Sequence, residues 1–182
     1  MLAVTKQQLL GPLAKRGWLL PRRGFSATMP NSNDNDYPHY EVRQTRWNDN
    51  DGFGHLNNTV YYNFMDDAIN LHLINRGIGR QYPRFIAENG IQFFKPISFP
   101  SDVNVGLKVI KLGSSSVTYE VGFFAQGEPT NGATGALAAR GKFVHVYVDE
   151  ATGRPMAIPE EARNILETLL TPTQPGGYRV WE

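Results

Sequence analysis

The sequence predicts an α+β fold in which one long helix, early in the domain, packs on an antiparallel sheet. Three observations predict it. Residues 59–75 place apolar groups at helical spacing, and the stretches from residue 85 onward alternate apolar and polar positions. Turns rich in glycine, serine or proline separate those stretches at hairpin distances, and no helix-sized segment lies between them.

Each element has its own warrant. Residues 39–47 alternate and favour strand, giving a first strand. Asn57 or Asn58 then serves as N-cap of a helix over residues 59–75, where Tyr61, Phe64, Met65, Ala68, Leu71 and His72 fall on one face. At 1.5 Å per residue this helix is roughly 25 Å long. Gly77 and Gly79 stop it. Residues 85–99 form a strand region in which Pro96 marks an edge or a bend. Val103, Val105, Leu107 and Val109 alternate with Asn104, Gly106 and Lys108, and Gly113-Ser114-Ser115 turns the chain into a strand over 117–124. A loose loop over 127–135 precedes a long last strand over 137–148, a turn-rich stretch to 159 and a short surface helix over 160–170. There is no internal repeat. One helix cannot cover both faces and both edges of such a sheet, so a dimer is expected.

The totals bound the function classes. A chain of 182 residues, 41% hydrophobic and 19% charged, suits one domain with a proper core, and no apolar run is long enough to span a bilayer. The absence of cysteine removes disulfides, thiolate metal sites and a cysteine nucleophile together. The net charge of +1 hides an asymmetry: residues 1–33 hold five basic residues and no acidic one, which leaves 13 basic against 17 acidic residues in the remainder. A mildly acidic domain has no footprint for nucleic acid. The leader, residues 1–29, has the basic, acid-free and hydroxyl-bearing composition of a mitochondrial or plastid transit peptide, read here as mitochondrial, and Pro21-Arg22-Arg23-Gly24-Phe25-Ser26-Ala27-Thr28 resembles a cleavage region. A disordered basic tail without an address is the alternative, as is a cytoplasmic location. Residues 30–37 read as a polar linker, 38–170 as the domain and 171–182 as a C-terminal tail.

The chemistry concentrates in Arg46-Trp47-Asn48-Asp49-Asn50-Asp51-Gly52-Phe53-Gly54-His55-Leu56-Asn57-Asn58, a polar connection leading into the helix. It has no Gly-x-Ser-x-Gly elbow and no Walker loop. A calcium loop would need carboxylates where Trp47 and Asn58 stand, and Asp51 with His55 makes only two ligands for any other metal. What remains is a carboxylate four residues ahead of an imidazole, beside the free amides of a helix start, which can hold a developing oxyanion. A carboxylate so placed can attack an activated acyl carbon or deprotonate a water that does so. A thioester, with a weakly resonance-stabilised carbonyl and a good leaving group, is the natural target. The same residues also read as a capped turn, with Asp51 closing it and His55 packed at the start of the helix against Tyr61.

The run from Arg46 to Tyr62 resembles the signature of the hotdog-fold acyl-CoA thioesterases of the 4-hydroxybenzoyl-CoA thioesterase-like family. Phe94-Lys95-Pro96 with Pro100-Ser101-Asp102, the turn at Leu112-Gly113-Ser114-Ser115-Ser116, and the tail from Phe143 through Gly153-Arg154-Pro155 to Ile158-Pro159-Glu160-Glu161 resemble that family in order and spacing. The likeness covers residues 38–170.

The resemblance implies a hotdog fold, an antiparallel sheet wrapped around one long central helix, assembled as a homodimer or homotetramer with acyl-CoA bound at the subunit interface. It implies that Asp51 is the catalytic carboxylate, that Asp49 is structural, and that His55 assists. Phe53 stands where related plant acyl-carrier-protein thioesterases have an asparagine, so their three-residue arrangement does not carry over whole. Asn57, Asn58 and Tyr61 are implied to bind substrate. Phe64, Met65, Phe93, Phe94, Tyr119 and Phe123 are implied to line core or acyl tunnel, and Lys95, Arg140 and Lys142 are candidates for the CoA phosphates. No metal or organic cofactor is implied. A non-catalytic acyl-binding or assembly protein and a dehydratase on the same fold are the alternatives.

Overall fold

A computed structural model describes residues 37–125 and 135–171. The leader, most of the 127–135 loop and nearly all of the C-terminal tail lie outside the described residues. The described elements run β1 (His39–Gln44), α1 (Asn58–Ile74), β2 (Arg84–Phe93), β3 (Asp102–Leu112), β4 (Ser116–Ala125), β5 (Leu137–Tyr147) and α2 (Glu160–Glu167). The five strands form one sheet in the order β1-β3-β4-β5-β2, and every neighbouring pair is antiparallel. This is the α+β hotdog arrangement that the sequence predicts, with α1 as the helix within the sheet's curve.

The registers fix the faces. Val105, Leu107 and Val109 of β3 lie beside Phe123, Val121 and Tyr119 of β4, and all six are fully buried. From α1, Tyr61, Phe64, Met65, Ala68, Ile69, His72 and Leu73 are buried among the same core. Ile69 and Leu73 replace Leu71 in the predicted stripe. Leu71 sits at its edge and is 38% exposed. Gly141 of β5 sets how closely helix and sheet approach, since a Cβ there would lie 2.0 Å from Sδ of Met65. Gly77, at φ 87°, ends α1 in a Schellman turn: its N–H reaches the Ile74 carbonyl and the Ile78 N–H reaches that of Leu73, both at 3.0 Å.

The opposite face of the sheet is covered in part by Tyr37, a residue of the predicted linker that is only 4% exposed. Its ring crosses Gly106 and Gly122, packs against Tyr40 and Phe124, and donates its hydroxyl to Oε1 of Glu120 at 2.9 Å. Lys108 lies 3.0 Å from the same carboxylate. Burial and the Glu120 charge hold the Tyr37 phenol well above its ordinary range.

Three predicted boundaries move inward. The first strand ends at Gln44, and its last predicted residue, Trp47, opens the 3-10 turn Trp47–Asp49. The second ends at Phe93, before Pro96, and a cis Phe99–Pro100 bond lies in the connection that follows. The last helix ends at Glu167, where Thr168 caps it after Ala162 and Leu166 have been buried.

Candidate active site

The Asp-rich connection lies at the N-terminal end of α1, held there by its own polar side chains. Oδ2 of Asp49 accepts the Arg46 N–H at 2.7 Å and closes the 3-10 turn. Asn50 accepts the Phe99 N–H at 3.1 Å, and the Leu56 N–H donates to the Ile97 carbonyl at 2.7 Å. These bonds tie the loop to the chain that follows β2. Asp49 is thus a turn residue, in keeping with the structural role the resemblance implies.

Asp51 caps the next turn. Its Oδ1 accepts the N–H groups of Phe53 at 2.8 Å and His55 at 3.2 Å, while Oδ2 takes no hydrogen bond among the described residues. The carboxylate therefore fills the turn-capping role and keeps one oxygen uncommitted. The turn-capping role that the sequence allows is thus met by Oδ1 alone. His55 is exposed, has no side-chain hydrogen bond among the described residues and makes no ring contact with Tyr61 there.

Asn57 is the N-cap of α1: its Oδ1 accepts the Thr59 N–H at 3.0 Å and the Thr59 hydroxyl at 2.9 Å. The Asn57 N–H goes to the Asp49 carbonyl and the Leu56 N–H to Ile97. None of these turn and cap bonds uses the Asn58 N–H, which remains a donor at the positive end of the helix.

A cavity of about 300 Å³ opens here. Asp51, His55, Asn58 and Tyr61 line it from the loop and helix side, and Phe93 and Lys95 from the end of β2. Four of the five site residues expected from the sequence thus meet on one wall. Asn57 is not on it, its carbonyl oxygen being occupied by the cap. Tyr61 is 2% exposed and stands edge-on to Phe93 and Phe123, each at 5.1 Å. Burial pushes its phenol up to about 12, opposed by a hydrogen bond with the Ile97 backbone. It stays a neutral donor at ordinary pH.

The remaining candidates divide between core and cavity, with Phe94 on the cavity side. Met65, Tyr119 and Phe123 are fully buried core, whereas Phe93 is 46% exposed and faces the cavity. Of the three candidate cations only Lys95 stands at the cavity. Arg140 lies 3.5 Å from Glu120 and Lys142 lies 2.6 Å from Glu88, both on the far face of the sheet. Sequence reasoning left Leu56 and Pro96 out of the wall, although the strand-breaking Pro96 was the available signal that the chain turns here. Among the described residues no group of three His, Asp or Glu side chains is placed to hold a metal ion.

Residues 45–166, which contain this loop, α1 and the whole cavity wall, match the thioesterase-like superfamily. The chain belongs to that superfamily. The PA5185 protein of Pseudomonas aeruginosa strain PAO1 is 39% identical, with a TM-score of 0.68 over 76% of this chain and 95% of that one. A thioesterase from Thermus thermophilus, solved in complex with coenzyme A and zinc, is 27% identical, with a TM-score of 0.60 over 74% of this chain and 95% of that one. A 1,4-dihydroxy-2-naphthoyl-CoA thioesterase from Synechocystis, 16% identical over 70% of this chain and 93% of that one, supports the hotdog fold alone at a TM-score of 0.61. No curated protein matches the chain. No helix of the described residues is long and apolar enough to cross a membrane.

Proposed function

We propose that this protein is an acyl-CoA thioesterase that uses Asp51 as general base or nucleophile. The observation that carries the reading is the divided role of Asp51. One carboxylate oxygen holds the loop, and the other is free on the wall of a cavity that also contains a helix start and an apolar aromatic side.

In the general-base form, Asp51 takes a proton from water as the oxygen adds to the thioester carbonyl carbon. The resulting oxyanion is stabilised by the Asn58 N–H at the start of α1, and collapse expels the CoA thiolate, which recovers the proton. In the nucleophilic form, the carboxylate itself adds and CoA leaves. Water then hydrolyses the mixed anhydride to free acid and regenerated Asp51. His55 orients water or the thioester, Tyr61 donates a hydrogen bond from the apolar wall, and Asn57 holds the helix start in place. Lys95 at the mouth suits a CoA phosphate.

The working form is a homodimer, because β2 ends the sheet with an exposed outer edge and apolar Phe85, Ile86 and Phe93 along it. The basic leader directs the chain to the mitochondrial matrix. Release of free thiol from short, long and aromatic acyl-CoAs tests the reaction. No hydrolysis of any of them would leave the non-catalytic acyl-binding reading. A reporter fused to residues 1–36 tests the address, and a cytosolic signal would refute it.

A further inference from the structure

A second cavity, of about 620 Å³, lies at the opposite end of α1, between the last turns of that helix and the start of β2. Its lip is apolar, with Ile74, Phe85 and Ile86 exposed by 51, 60 and 52%. Arg80, Arg84 and Asp66 are its charged lining, so two guanidiniums stand against one carboxylate. Asp66 is engaged with Asn70, whose Nδ2 donates to its Oδ1 at 2.9 Å. Neither arginine has a carboxylate within ion-pair distance among the described residues.

Arg84 is half-buried and lies 5.8 Å from the centre of the Tyr147 ring. Its side-chain donors go to neutral oxygens, Oδ1 of Asn70 at 3.2 Å and the Tyr82 carbonyl at 3.4 Å. From the sheet side His145 reaches the same cavity while only 3% exposed, and its Nδ1 has no hydrogen-bond partner. A buried unpaired ring nitrogen and a half-buried guanidinium without an anion are both costly arrangements, and one oxyanion at this point relieves both.

We infer that this second cavity binds a carboxylate carried on a short apolar body, with the carboxylate on Arg84 beside His145 and the body against Ile74, Phe85 and Ile86. Two sources can supply the carboxylate. It is a free carboxylic acid, or it is the far end of a dicarboxylic acyl thioester. The second source rests on the thioesterase reading and on two copies meeting along β2. That strand carries this cavity at its start and the Asp51 cavity at its end, so an antiparallel pairing of two β2 edges sets one copy's second cavity beside the other's Asp51.

The test titrates the full-length protein with hexanoate, hexanamide and inorganic phosphate. The readout is the imidazole signal of His145 in NMR spectra, assigned with His145→Gln. Hexanoate is expected to bind at least about tenfold more tightly than either hexanamide or phosphate and to move that signal. Arg84→Met should weaken hexanoate by about tenfold or more. Equal binding of hexanoate and hexanamide by the wild type, or an unmoved His145 signal, overturns the inference without need of any variant. Turnover then separates the sources. A preference for adipyl-CoA over hexanoyl-CoA that disappears in Arg84→Met assigns the site to the substrate's far end. Hexanoate binding without that preference assigns it to the free acid. If no thioester is hydrolysed, the thioesterase reading fails while the carboxylate titration still decides this one.

Discussion

Asp51 and His55 are joined by two hydrogen bonds: the Asp51 N–H donates to the His55 carbonyl at 2.7 Å, and the His55 N–H returns to Oδ1 of Asp51 at 3.2 Å. The Asp51 carboxylate and the His55 backbone are therefore held in one small closed loop. Asp51→Asn keeps a capping oxygen but removes the base. Hydrolysis of the best acyl-CoA should fall by about 10²-fold or more with the melting temperature nearly unchanged. Asp51→Ala should lose activity and stability together. Full activity in Asp51→Asn would displace Asp51 from the chemistry.

Asn57 has a structural task that activity measurements alone would misread. Asn57→Ala should cost about 1 kcal/mol in denaturant unfolding, whereas Asn57→Ser should recover most of it by supplying another capping oxygen. Loss of activity in Asn57→Ser at unchanged stability would instead assign the side chain to substrate.

Two buried imidazoles make stability depend on pH in a defined direction. Burial, helped by His39 and Arg76, pushes His72 down to about 4, and burial with Arg84 does the same to His145. Unfolded histidine titrates near 6.5, so between those limits the unfolded chain binds more protons than the folded one. Stability is full above about pH 6.5 and falls as the pH drops toward 4. The urea midpoint of the wild type should decrease from pH 7.5 to 5, and His72→Gln with His145→Gln should flatten that dependence. An identical slope in the double variant would show that other groups are responsible.

Tyr37 closes the outer face of the sheet with one hydrogen bond to a buried carboxylate. Tyr37→Phe should destabilise the fold by about 1–3 kcal/mol, since Glu120 then loses a neutral donor while keeping Lys108 and Arg140. Tyr37→Ala should cost more, because the ring over Gly106 and Gly122 also goes. A null effect of both would mean that the residue adds nothing to the domain.

Local chemistry made much of this protein legible in the sequence. Helical spacing over Tyr61, Met65 and Ala68, the cap at Asn57, the stop at Gly77 and the alternation through Val103 to Val109 each depend on neighbours within a turn or a strand. Those elements stand where the pattern puts them. The loop at Asp51 was legible for the same reason, since a carboxylate followed by glycines at the start of a helix forms its bonds within five residues. Relationships across the sheet were decided only by tertiary structure. Strand order brings Phe93 and Lys95 opposite Asp51, places Arg140 and Lys142 on the far face against Glu120 and Glu88, and folds Tyr37 back over Gly122. It also sets His145, which reads in sequence as one more alternating position, beside Arg84 with an unpaired nitrogen. No local propensity encodes these meetings, because they follow from which strands pair and in what register.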